Sequence, residues 1–186
     1  MRTLKLLALS AVLSLGVLST STAKAGLLLE PYLGYELGKL DYTGTPSSSA
    51  DLSSVALGAR VAFTLPVLFV GVDYGLPIGG TLKDSSGNKA DVSGSQLFAI
   101  VGASLPLVRA YVGYGLMTSL ESKFSNVTTK YEGGTAFKLG VGTTLFPLTA
   151  INLEYINTTY DKVGGVTTSN YKSGFFMLNV SIPFQI

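Results

Sequence analysis

Leu27–Lys39 reads LLLEPYLGYELGK, and its two parities are different sequences. Leu27, Leu29, Pro31, Leu33, Tyr35 and Leu37 are apolar or aromatic, whereas Glu30, Tyr32, Gly34, Glu36 and Gly38 are acidic, aromatic or lack a side chain. A period of two belongs to an extended strand whose successive side chains point to opposite faces. In a soluble sheet the charged face meets water; in a membrane barrel the apolar face meets lipid and the charged face points inward. One strand does not choose between these, so the remainder of the chain has to.

The same alternation recurs in seven further stretches of the 186 residues, at 55–65, 67–76, 95–105, 107–118, 135–146, 148–158 and 173–186. Polar segments rich in Gly, Ser and charge separate them at 40–54, 77–94, 119–134 and 159–172, and read as four long, mobile loops. Between these lie tight turns at Leu65-Pro66, Pro106 and Pro147, where proline costs no ladder donor. Long and short connections therefore alternate along eight strands, as in a barrel with short periplasmic turns and longer extracellular loops. Nearly every charged residue within a strand shares a face with glycine, the crowded inner side of a closed wall. The fold class expected is all-β: an eight-stranded antiparallel transmembrane β-barrel with an up-and-down meander.

Composition agrees. Charged residues are 13% of the chain, against about 25% in soluble domains, and the mean hydropathy is +0.43. After the first 25 residues no apolar run approaches the roughly 20 residues of a membrane helix. Lipid admits only helices and closed barrels, because every backbone polar group must be paired.

Those first residues read as a cleaved signal peptide, 1–25, followed by the barrel, 26–186. Arg2 and Lys5 precede an apolar run, Leu6–Leu18, and Ala23-Lys24-Ala25 is an A-x-A cleavage site. Removing Arg2, Lys5 and Lys24 takes thirteen basic residues to ten against eleven acids, a net charge of −1 rather than +2. The precursor's basicity is thus no argument for nucleic acid as a partner. Cysteine is absent, so closure of the sheet rather than disulfides has to hold the exported chain.

The PYLGYELG opening, the RAYVGYGL strand and the eight-strand count resemble small outer-membrane β-barrel proteins of Gram-negative bacteria, the OmpA-like/OmpX-like group. The resemblance covers the mature chain and implies the cell outer membrane, a lipid and lipopolysaccharide surrounding, the barrel-assembly machinery as a biogenesis partner, and a monomer. The family's C-terminal signal usually ends in an aromatic; here the end is Phe184-Gln185-Ile186, a conservative departure. The chain stops at its eighth strand, so direct anchoring to the cell wall is not expected.

The inward charges are Glu30, Glu36, Asp73 and Glu154 against Arg60, Arg109 and Lys138. Eight strands leave an interior just wide enough for side chains, and an unpaired charge there is costly. Counting from the short turns puts Arg60 level with Asp73 and Lys138 level with Glu154, with Glu36 free to join either set. These charges read either as a salt-bridge plug or, with the same residues, as a gated pore. Inward glycines such as Gly58, Gly113 and Gly140 leave room for Tyr32, Tyr111 and Phe98; no helix follows them to make a phosphate loop. Outward Tyr35, Phe63, Tyr74, Tyr114, Phe137, Tyr155 and Phe184 suit interfacial girdles. Asn126-Val-Thr128 and Asn157-Thr-Thr159 match the glycosylation pattern by chance in a bacterial chain.

With no histidine and no cysteine, neither Ser–His chemistry nor a His or Cys metal site can be assembled. No enzyme activity and no cofactor or metal are expected. The default function is a structural envelope component with a plugged lumen. The alternatives are a surface adhesin acting through its four loops, and a narrow channel or carrier of small hydrophobic solutes.

Overall fold

The parity of Leu27–Lys39 becomes a strand, β1 (Gly26–Tyr42), whose Leu27, Leu29, Leu33, Tyr35 and Leu37 are exposed outward while Leu28, Glu30, Tyr32 and Glu36 are buried. The computed structural model describes residues 25–146 and 148–186. Its other strands are β2 (Ser48–Thr64), β3 (Leu68–Asp84), β4 (Lys89–Ser104), β5 (Val108–Phe124), β6 (Val127–Glu132), β7 (Thr135–Phe146), β8 (Thr149–Val163), β9 (Val166–Ser181) and β10 (Phe184–Gln185).

Each strand pairs antiparallel with its neighbours, and the ring is closed. β1 runs against β2 from Gly26↔Thr64 to Tyr42↔Ser48. On its other edge it runs against β9 from Tyr32↔Ser181 to Tyr42↔Tyr171, and against β10 at Leu28↔Gln185. The amide of Leu27 donates to the Ile186 carbonyl at 3.0 Å and the amide of Ile186 returns to Leu27 at 2.9 Å. The terminal isoleucine is thus stitched into the wall. β6 and β7 form one stave interrupted at Gly133–Gly134, and β9 and β10 another interrupted at Pro183, so the wall has the eight staves expected. Both glycines at the first break have positive φ, 68° and 90°, a conformation open to glycine at no steric cost.

The tight turns at Leu65-Pro66 and Pro106 are present, closed by Leu65 N–H to Leu68 O at 2.7 Å and Leu105 N–H to Val108 O at 2.8 Å. The third, at Pro147, lies outside the described residues, as do the signal segment through Lys24 and the side chains of Thr144, Leu145 and Phe146.

The four long loops are not loops. Strand pairing continues through most of 40–54, 77–94, 119–134 and 159–172, and the chain reverses only over 43–47, 85–88, 125–126 and 164–165. The reason is an inversion of the two faces along each strand. Near the tight turns the outer face is apolar and the inner face charged. Beyond that belt, Leu40, Leu52, Val92, Leu120 and Tyr131 are buried inside, while Lys39, Asp51, Lys83, Lys89 and Lys123 are exposed outside. The far half of the barrel thus has the pattern of a water-soluble barrel, and its polarity is that of a solvated wall. The β3–β4 reversal shows how tightly it is made. The Asp84 carboxylate accepts the Ser86 and Asn88 amides at 2.9 Å each and Asn88 Nδ2 at 2.8 Å. The Asn88 side chain, helped by those amides, holds the Asp84 carboxyl below the usual aspartate range.

Candidate functional site

Six staves each deliver one charged side chain to the same level of the lumen: Glu30 from β1, Arg60 from β2, Asp73 from β3, Arg109 from β5, Lys138 from β7 and Glu154 from β8. All six are buried, the most accessible being Arg109 at 4%. Three acids meet three bases, so the cluster is neutral as a whole.

Arg60 is its hub. Nε reaches Asp73 Oδ2 at 2.9 Å, Nη1 reaches Glu30 Oε1 at 3.0 Å, and Nη2 donates to Glu154 Oε1. Lys138 Nζ bridges Asp73 Oδ2 and Glu154 Oε2 at 3.0 Å each, the latter as an ion pair without hydrogen-bond geometry. Arg109 clasps both oxygens of Glu30, with Nη1 to Oε2 at 2.6 Å. Its Nε donates to Asn152 Oδ1 at 2.8 Å, and Asn152 passes the chain to Asn179 at 2.8 Å and Ser181 at 3.0 Å. Asn179 then donates to Glu154 Oε1 at 2.6 Å. A planar, five-donor guanidinium suits this position because it satisfies three carboxylates at once.

Aromatic rings complete the shell. The Arg60 guanidinium lies between Tyr32 and Tyr111, 4.6 and 5.1 Å from the ring centroids, and Lys138 Nζ lies 4.6 Å from that of Phe98. Tyr32 donates its hydroxyl proton to Asp73 at 2.9 Å and Tyr111 to Glu154 at 2.6 Å. The inward glycines make the room: a Cβ on Gly58 would meet the Tyr32 ring, and one on Gly140 the Tyr111 ring. Such stacking adds attraction to cations already paired.

Glu36 does not join either set. It sits beyond Tyr32 and Gly34 on the inner face of β1, directly across from Ser54, and its Oε2 accepts the Ser54 hydroxyl. Charge counting isolates it too. Outside the lumen set, seven bases face seven acids in residues 26–186, the lumen cluster is balanced three against three, and Glu36 alone supplies the net −1. Glu36→Gln should therefore leave the free energy of urea unfolding undiminished, whereas Glu30→Gln should lower it by about 2–5 kcal/mol, since it strips Arg109 and Arg60 of a shared partner.

Apolar side chains share the lumen with these charges: Phe98 lies against Lys138, Met177 stands directly across from Glu36, and Ile156, Phe175, Leu52 and Leu120 belong to the same buried cluster. At the far end four tyrosines from the adjacent staves β1, β9, β8 and β6 pack together: Tyr42–Tyr171 at 4.8 Å, Tyr171–Tyr131 at 5.4 Å and Tyr131–Tyr160 at 5.6 Å between ring centroids. The amide partners Asn152 and Asn179, the Ser181 hydroxyl and these tyrosines are not singled out as site residues by the sequence. Their one signal was parity, since each falls on the inward phase of its strand. Among the described residues no group of three or more His, Cys, Asp and Glu is placed to hold a metal ion. The lumen acids spend their oxygens on cations and phenols, so the arrangement resists displacement rather than presenting a reactive group.

The sequence matches the family described as outer membrane protein beta-barrel domain over residues 10–184. No curated protein sequence matches the chain. Among solved structures it is similar to neisserial surface protein A, NspA, with 16% identity and a TM-score of 0.55, covering 84% of this chain and 97% of that one. It is also similar to Ail, the attachment invasion locus protein of Yersinia pestis, solved with the heparin analogue sucrose octasulfate. There the identity is 16% and the TM-score 0.59, over 86% of this chain and 99% of that one. At these identities the likeness shows the fold alone.

Proposed function

The chain belongs to the outer membrane protein β-barrel family, and from that premise we propose that it is an integral outer-membrane component with a structural role in the envelope, its lumen plugged rather than conducting. The observation that carries this reading is the Arg60 hub. It ties staves β1, β2, β3 and β8 directly, and Lys138 and Arg109 extend the network to β7 and β5. A network shared by six of eight staves fills the cross-section at its level and braces the wall around it. The hydrophobic filling and the tyrosine layer add two further stoppers above it. In this reading residues 1–25 are a signal peptide removed on export and the assembly machinery inserts the chain. The apolar belt then sits in lipid with the inverted half standing in the extracellular space. The protein works as a monomer without enzymatic activity.

A surface-binding role is the second reading, favoured by the wall that extends beyond the apolar belt. Ail was solved with a heparin analogue, which argues for polyanion contact by that protein. Here the residues outside the lumen carry seven bases against seven acids, which gives the wall as a whole no polyanion preference.

The two readings part in a deletion strain. The structural reading expects loss of the protein to sensitise cells to detergent, and a version with residues 43–47, 85–88, 125–126 and 164–165 replaced by minimal glycine turns to restore resistance in full. Unchanged sensitivity on deletion, or rescue that fails once the tips are replaced, would favour the surface role.

A further inference from the structure

We infer that the outer wall of β1–β4 holds the phosphate of an outer-leaflet glycolipid at Lys83 and Lys89; the inference rests on the outer-membrane reading above. Cross-strand register puts four charged residues in one row on this face: Lys39 opposite Asp51, Asp51 opposite Lys83, and Lys83 opposite Lys89. All four are exposed. Like charges directly opposite across a sheet are destabilising, so Lys83 and Lys89 need an anion to offset them. The neighbouring acids do not supply it. Asp51 is flanked by lysine on both sides, and Asp91 lies one row nearer the apolar belt, opposite Thr81. Among the described residues none of the three lysines makes an ion pair within 4 Å. The contrast is β5–β6, where Glu121 and Lys130 face each other in the same way and do close, at 2.8 Å.

Shape points to an amphiphile. A cleft of about 550 Å³ opens beside the lysines, and its other walls include Tyr35, Leu37 and Thr81. Tyr35 and Leu37 belong to the lipid-facing belt on β1, and Asp51 and Ser53 of β2 line the cleft between them and the lysines. An apolar floor continuous with the hydrocarbon belt, below two ammonium groups, matches a lipid whose phosphate sits at the head of its acyl chains. A free phosphate would make no use of that floor.

The test uses the full barrel refolded in phosphatidylcholine nanodiscs and titrated with three probes: bisphosphorylated lipid A, the same lipid with its phosphates removed, and phosphatidylglycerol. Bound lipid is read by native mass spectrometry. Expected is at least tenfold tighter retention of the phosphorylated glycolipid than of either other probe. Lys83→Gln/Lys89→Gln should abolish the difference, and Lys123→Gln/Lys162→Gln, on β5 and β8, should leave it intact. All four substitutions are on the exposed wall, and a heat-dependent shift in gel mobility verifies that each variant is folded. Equal retention of dephosphorylated lipid, equal retention of phosphatidylglycerol, displacement by millimolar inorganic phosphate, or equal loss in both double variants would each overturn the site. A barrel that fails to enter the nanodisc overturns the outer-membrane reading instead.

Discussion

Arg60→Ala should cost the folded barrel about 3–5 kcal/mol, because it leaves buried carboxylates without the cation they share. Glu30, Asp73 and Glu154 all contact this one guanidinium and are 0% exposed. With Arg60 gone, three acids face only Arg109 and Lys138, and water cannot reach them to compensate. The Tyr32 and Tyr111 rings also lose the cation between them. Arg60→Lys should recover only part of the loss: an ammonium is a point charge and cannot span three carboxylates set around a planar fork. Equilibrium urea unfolding of the protein refolded in vesicles measures both. An Arg60→Ala variant within about 1 kcal/mol of wild type, the range of an exposed pair, would mean that the hub is not the brace described.

The second large effect is steric. Gly140 stands directly opposite Tyr111 on one neighbouring stave and Glu154 on the other. A methyl group at Gly140 would occupy space held by the Tyr111 ring, which its hydroxyl bond to Glu154 pins at 2.6 Å. Gly140→Ala should thus destabilise by about 1–3 kcal/mol from overpacking, and about 1–3 kcal/mol more where the phenol is driven off a carboxylate. The origin of the loss is separable. In a Tyr111→Ala background the same Gly140→Ala change should cost little, because the ring it collides with is absent. A double-mutant cycle over the two positions should therefore give a coupling above about 1 kcal/mol; additive losses would place the strain elsewhere in the wall.

Much of this site could be read from parity. The alternation in Leu27–Lys39 and its seven repeats assigned Glu30, Arg60, Asp73, Arg109, Lys138 and Glu154 to the inner face, where all six are buried. Counting from the Leu65-Pro66 turn placed Arg60 against Asp73, and they are direct cross-strand partners. Lys138 and Glu154 are a diagonal pair, since Lys138 faces Ile156 and Gly140 faces Glu154, yet the lysine is long enough to close it. What counting along adjacent strands could not supply was contact across the lumen. Arg109 meets Glu30 although 79 positions separate them, and Arg60 meets Glu154 across 94. Those pairs depend on how the ring closes and how far its strands are staggered.

The misread loops have a different cause. Charge alone reads 77–94 as a loop, but within it Leu82 and Val92 keep the inward phase of their strands. Alternation persists there with its two faces exchanged. Composition averages over both faces and is blind to that exchange, whereas parity carried through it would have extended each strand to its true reversal. Glu36 failed for a related reason. Its parity is that of Glu30, but it lies closer to the level where the interior turns apolar, and Ser54 rather than a cation stands across from it.

Planar-bilayer recording of the wild-type protein tests the plugged lumen most directly. With the Arg60 network, the apolar filling and the tyrosine layer stacked in one narrow interior, no unitary current steps should appear across the physiological range of voltage and salt. Discrete, reproducible steps from the intact wild-type barrel would contradict the account, because ions would then be crossing the level at which six staves are tied together.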